Sequence, residues 1–285
     1  MHETGGTFGE IRTSDGVLLR YREAGSGQPL VLIPGWSQTA DQFAFQLAGL
    51  ADRCRVIAVD MRGHGESDKP GHGYRIARLA KDVHDLLTAL DLSDVALLGH
   101  SMGASVIWSY YDLFGPERLA KLILVDQVPV GGSDIDWATA IPGEPPVPFA
   151  AARVADWPAS CAAMLGPGAY ERTTAQLRGM VTVRCDPATL AWMVERNLRL
   201  PRAYAAALLF NHRAQDWRDV IPRITLPTLV VAGRVSFMPW QSQEWVHRQI
   251  PGSQLAIFEE EEGGQHFMFI EGADKFNRIV AEFLG

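Results

Sequence analysis

Little in this 285-residue sequence is basic, cysteine-rich or continuously apolar. Lys and Arg number 26 against 33 Asp and Glu, a formal net charge of -7. Neutralising a phosphate backbone needs a positive face, so nucleic acid is not expected as a partner. The three cysteines, Cys54, Cys161 and Cys185, have no paired spacing. They suggest neither a disulfide framework nor a metal site, and a reducing cytoplasm suits them. No run approaches the ~20 apolar residues of a membrane span, so no membrane partner is expected. Met1-His2-Glu3-Thr4-Gly5-Gly6 is polar and has no apolar h-region, so it does not read as a signal peptide. Internal repeats and low-complexity tracts are absent as well.

What is there is ordinary for a globular chain, 47% hydrophobic and 21% charged, and long enough for one large α/β domain or a core plus an insertion. The stretch that organises it is Gly99-His100-Ser101-Met102-Gly103, a G-x-S-x-G. Before it, Val95-Ala96-Leu97-Leu98 is short and apolar, as a buried strand would be. After it, Val106, Ile107, Tyr110 and Phe114 recur at helical spacing over residues 104–114. A serine at such a strand-to-helix turn is the context of a nucleophile elbow. The flanking glycines have no Cβ to clash, and the helix N-terminus aims free N–H groups at any anion that forms there.

The rest of the chain alternates in the same way. Residues 7–13 and 17–23 read as strands joined at Ser14-Asp15-Gly16, an Asp-Gly hairpin signal. Further strands are expected at 30–33, 55–59, 122–125, 228–233 and 254–259. Helices are expected at about 41–50, at 240–250 and 275–284, and where Ile76, Leu79, Val83, Leu86, Leu87 and Leu90 share one face. This predicts a mostly parallel eight-stranded sheet with helices on both faces, built from residues 1–126 and 222–285. Residues 127–221 lack strand runs and hold amphipathic pieces at 188–200 and 202–210, so they read as a helical cap inserted over the site. Ser101, Trp36, Asp126 and the Gly233 loop all fall at strand carboxyl ends, where such sheets bind ligands.

The Pro34-Gly35-Trp36 loop, the Asp60-Met61-Arg62-Gly63-His64-Gly65 turn, the elbow, and Gly264-Gln265-His266-Phe267 after the last strand together resemble the α/β-hydrolase superfamily. The resemblance covers nearly the whole chain outside the insertion. It implies the order nucleophile, acid, histidine. Ser101 is then the nucleophile and His266, alone among the eight histidines in lying after the last strand, the base. His100 is expected to pack beneath the serine or line the pocket, His64 to brace the 62–65 turn, and His212 and His247 to be structural. The usual acid position falls in Gly233-Arg234-Val235-Ser236-Phe237-Met238-Pro239 and is occupied by Ser236, which cannot balance an imidazolium. Some branches, including certain haloalkane dehalogenases and cofactor-free ring-opening dioxygenases, place the acid after the preceding strand, so Asp126 takes the role here. Glu259 to Glu262 read as a solvated turn from which one carboxylate could help orient the histidine. The resemblance assigns the oxyanion hole to the backbone N–H groups of Met102 and Trp36.

The leading expectation is therefore a serine hydrolase of a small apolar or aromatic ester or lactone, needing no cofactor and no metal. Cofactor-free oxygenation of an aromatic heterocycle is the alternative, weakened because that branch has a histidine where Met102 stands. Related sequences carry non-haem peroxidase labels, for which perhydrolysis by the same triad would account. In the insertion, Trp137, Phe149, Trp157, Met164, Met180, Trp192 and Phe210 are candidate pocket or core residues.

Overall fold

The computed structural model describes residues 6–132 and 153–285. Eight strands form one sheet: β1 (Thr7–Arg12), β2 (Leu18–Ala24), β3 (Pro29–Ile33), β4 (Arg55–Asp60), β5 (Val95–His100), β6 (Leu119–Val125), β7 (Thr228–Gly233) and β8 (Gln254–Phe258). Their order is β1-β2-β4-β3-β5-β6-β7-β8. The β1–β2 and β2–β4 pairs are antiparallel and the others are parallel. The central strands are short and apolar because both faces are covered: β5 and β7 are buried at every residue.

The period of two sorts the strand residues between two cores. Val31, Ile33, Val59, Leu97, Leu124 and Val230 point to one, under α2 (Ile76–Ala89), α3 (Met102–Phe114) and Trp245 of α8 (Trp240–Gln249). Leu30, Leu32, Ala58, Leu98, Ile123 and Val231 point to the other, under Leu47 of α1 (Ala44–Gly49), α9 (Met268–Glu271) and α10 (Ala273–Leu284). The apolar stripe expected on α2 packs inward at Ile76, Leu79, Val83, Leu86 and Leu87. The helix expected at 41–50 divides into a 3-10 turn, Ala40–Phe43, and α1.

In the described part of the insertion, α4 (Trp157–Met164) packs on α7 (Arg202–Arg213), and α5 (Ala169–Arg178) on α6 (Pro187–Asn197). Leu177, Leu190, Met193 and Val194 continue the second core upward. Trp157 is buried with its ring edge toward Phe210, and Arg196 lies over the Trp192 ring, so these aromatics pack within the insertion. Trp137 and Phe149 lie outside the described residues.

The strand order places the chemistry. The order reverses at β3, so β3 and β5 are neighbours whose chains leave in register, Ile33 opposite Gly99. On the far side of β5, His100 pairs with Val125, which brings the residue after β6 next to Ser101. The loops after β7 and β8 follow on the same edge.

Candidate active site

Ser101 sits between β5 and α3 with φ 53° and ψ -121°, a backbone that L-residues rarely hold. Two glycines permit it. A Cβ on Gly103 would overlap the Ile33 carbonyl, and one on Gly99 would overlap the Gly103 carbonyl. The Ser101 N–H donates to the Val125 carbonyl at 2.8 Å, which pins the turn to the end of β6. Met102 is the first residue of α3, so its N–H has no partner within the helix.

Asp126 follows β6 with φ 51° and is wholly buried. Its Oδ2 accepts from His266 Nδ1 at 2.6 Å and from the Ser236 hydroxyl at 2.5 Å. Its Oδ1 faces the Gly233 N–H at 3.4 Å. Because Nδ1 carries the proton that Asp126 accepts, a neutral His266 has Nε2 free as a base. Ser101 and His266 line one cavity. Burial lowers His266 below the ordinary imidazole range, so the ring is neutral near pH 7. Burial pushes the Asp126 carboxyl up, while the Ser236 hydroxyl, the His100 ring and the Gly233 N–H oppose that rise.

The surrounding residues hold this pair in place. His100 Nε2 donates to the His266 carbonyl at 2.8 Å, and its ring lies 4.5 Å from that of His266. Phe237 packs edge-on to His266 at 4.7 Å. The His266 N–H donates to the Met180 carbonyl at 3.2 Å, tying the loop to the insertion. Gln265 clips the neighbouring loop by accepting from the Phe237 N–H at 3.1 Å. The glutamates near His266 face elsewhere: Glu259 pairs with Arg234 and Glu262 with Lys275.

The Trp36 loop is braced from three sides. His64 Nδ1 donates to the Arg62 carbonyl at 2.9 Å, leaving Nε2 to accept from the Ser37 N–H at 3.2 Å. Burial pushes His64 down to about 4, so it stays neutral in this role. Gln38 Oε1 accepts from the Gly35 N–H at 2.8 Å. Trp36 Nε1 donates to the Ala205 carbonyl of α7 at 2.8 Å, fastening the insertion to the loop. Among the described residues the backbone N–H groups of Trp36 and Met102 meet no acceptor.

A cavity opens over Ser101, between the carboxyl edge of the sheet and the insertion. Trp36, Phe237 and Phe267 wall it from the core, and Leu177, Met180 and Leu209 from the insertion. Met164 lines the adjoining hollow, which shares Trp36, Met180 and Arg213 with it. His212, expected only as a structural residue, also lines the cavity, as do Gln127 and Arg213. Among the described residues, Gln127 Oε1, His212 Nδ1 and Arg213 Nη1 are buried without a hydrogen-bond partner. Two features escape sequence reasoning. The bond between Ser236 and Asp126 joins positions 110 residues apart, and the only hint is that Ser236 stands where an acid is usual. The polar set on α7 has no sequence signal, because a His-Arg pair at a helix end reads as solvated. His247 lies on α8 and meets Ser253 at 2.8 Å.

A glycine-locked serine elbow on an eight-stranded, mostly parallel sheet defines a member of the α/β-hydrolase fold. The sequence profile of the alpha/beta hydrolase fold family matches residues 28–273, and the chain belongs to that family. An uncharacterized protein of Mycobacterium bovis is 30% identical over 286 residues, covering 96% of this chain and 80% of its own. A non-heme chloroperoxidase of Kitasatospora aureofaciens is 42% identical over 118 residues, 41% of this chain and 43% of that protein. Among solved structures, an esterase from Exiguobacterium antarcticum superimposes with a TM-score of 0.86 at 27% identity, covering 99% of this chain and 100% of its own. These relationships support a hydrolase. Among the described residues no helix is long and apolar enough to cross a membrane.

Proposed function

We propose that the protein is a serine hydrolase that cleaves a carboxylic ester or lactone through an acyl-enzyme. The observation that carries this reading is the chain of contacts from Ser236 through Asp126 to His266, at 2.5 and 2.6 Å, ending in the cavity that Ser101 lines. Ser101 Oγ attacks the carbonyl carbon while His266 Nε2 takes its proton. Asp126 keeps the His266 proton on Nδ1 and stabilises the imidazolium that forms. The oxyanion takes the N–H groups of Met102 and Trp36, which meet no acceptor among the described residues. His266 then gives its proton to the leaving alkoxide. Water attacks the acyl-enzyme, its proton passes to His266, and the acid departs as Ser101 Oγ is reprotonated.

The apolar and aromatic walls suit a small apolar or aromatic substrate body. Residues 127–221 act in this reading as a lid that admits substrate and limits water. A panel of p-nitrophenyl esters and lactones, run with the protein and with Ser101→Ala, tests the proposal. Burst release of p-nitrophenol, lost in Ser101→Ala, is expected. Full turnover by Ser101→Ala would overturn it.

The second reading is perhydrolysis, favoured by the likeness to a non-heme chloroperoxidase. Hydrogen peroxide would replace water as the acyl acceptor at the same serine, giving a peracid. Cofactor-free oxygenation has in its favour the Trp36 loop and the placement of Asp126 after β6.

A further inference from the structure

The cations of this protein that are taken out of water generally have partners. Arg62 is completely buried and bonded to Asp82 and Asp15. Arg202 fills the carbonyls of Asn197 and Leu200 and the Ser37 hydroxyl. Arg213 breaks the pattern. Among the described residues its Nη1 is buried without an acceptor, as Nη1 of Arg62 also is, but unlike Arg62 it has no other hydrogen-bond partner and faces no carboxylate. It does not cap its own helix either, because the α7 terminal carbonyls of Phe210, Asn211 and His212 are taken by the N–H groups of Ala214 and Gln215. An unpartnered, partly desolvated guanidinium is costly, so its position calls for a ligand. Arg213 lines the Ser101 cavity and is the one Lys, Arg, Asp or Glu that does so among the described residues.

The neighbouring residue supplies a second, independent observation. His212 is 8% exposed, lines the same cavity and leaves Nδ1 without a partner among the described residues. Its Nε2 meets the Ser105 hydroxyl at 3.1 Å. That hydroxyl finds no other acceptor among the described residues, so it donates to Nε2 and the ring proton stays on Nδ1. Among the described residues, Arg213 Nη1 and His212 Nδ1 are thus two donors without acceptors, carried by two residues that line one cavity. Gln127 Oε1, the third unpartnered atom there, is an acceptor and takes no part in holding an anion.

Resting on the hydrolase reading, we propose that the substrate is an ester or lactone carrying a separate carboxylate, and that Arg213 and His212 hold that carboxylate. A guanidinium N–H and an imidazole N–H bind the two oxygens of such a group by charge-assisted hydrogen bonds. The apolar walls then enclose the carbon skeleton between the anchored carboxylate and the carbonyl presented to Ser101.

Two matched pairs of esters test this on the full chain. Mono-p-nitrophenyl glutarate against p-nitrophenyl valerate places the charge on the acyl side, and 4-acetoxybenzoate against phenyl acetate places it on the alcohol side. For at least one pair the protein should prefer the charged ester, and Arg213→Met should cut the kcat/KM ratio of charged to neutral ester by at least about 10-fold. Arg213→Lys keeps the charge and should retain part of the preference, while matching thermal melts establish that both variants fold. The same pairs are also titrated into Ser101→Ala, with and without Arg213→Met, to read binding without turnover. Loss of charged-ester binding in the double variant supports the anion site even if no ester is turned over, which separates it from the hydrolase reading. Ratios of kcat/KM and of binding that are unchanged by Arg213→Met for both pairs would overturn the proposal.

Discussion

The ends of β6 and β7 meet at one oxygen atom. The first presents Asp126 and the second Ser236, and both the Ser236 hydroxyl and the His266 ring bond to Asp126 Oδ2. Family resemblance leads one to expect a carboxylate on the second loop, yet here the charge sits on the first strand end and the second offers only a donor. In the proposed triad the histidine is oriented by an oxygen at a place in space, and two neighbouring strands can deliver it. The second loop supports the first, because a hydroxyl that donates to a buried carboxylate favours its ionised form.

Breaking the first side of the comparison should have the largest effect. Asp126→Asn keeps the shape but removes the charge and the tautomer control, and ester turnover is expected to fall by up to ~10⁴-fold in steady-state assays. An effect below about 10-fold would place the acid elsewhere. Restoring a charge from the other side sharpens the test. Because Ser236 Oγ lies 2.5 Å from Asp126 Oδ2, Ser236→Asp in the Asp126→Asn background should recover about 10- to 100-fold of the lost rate. No recovery, with the fold intact by circular dichroism, would mean that β7 cannot reach the imidazole.

Removing the hydroxyl alone should cost less. A hydrogen bond to a charged group is worth ~1.5–3 kcal/mol, so Ser236→Ala should reduce kcat/KM by about 10- to 100-fold. The sign of its pH effect follows from the same contact. The hydroxyl holds the Asp126 carboxyl down against burial, so without it Asp126 keeps its proton to higher pH. The acid limb of the kcat/KM profile should therefore move upward in Ser236→Ala. In the unaltered protein the limb should follow Asp126, which burial raises to about 7, because burial keeps His266 neutral well below that pH. A downward move on substitution would contradict the assignment. The smallest expected effect is on stability. Arg213→Met removes an unpaired, partly desolvated charge and should leave the melting temperature unchanged or raise it by a few degrees.

Most of the sheet was legible because its strands are buried on both faces: Val95 to Leu98 and the run from Thr228 can hardly be anything but short apolar strands between turns. The elbow was legible for a different reason. Gly99 and Gly103 are required by two close backbone approaches, and such demands leave a mark in sequence. Two insertion helices left none. The helix Trp157–Met164 shows no apolar stripe, and Ala169–Arg178 buries only Thr173 and Leu177. Nor could composition reveal that Ser236 faces Asp126, or that His212 and Arg213 face the cavity. Those contacts depend on how elements far apart in the chain are laid side by side.

The account rests on Asp126 acting through His266 on Ser101, and the rate of fluorophosphonate labelling reads that relay in one step. Mass spectrometry should find a single phosphonyl adduct, on Ser101, formed at least about 10³-fold more slowly in Asp126→Asn than in the unaltered chain. An adduct on another serine, or equal labelling rates in the two proteins, would contradict it.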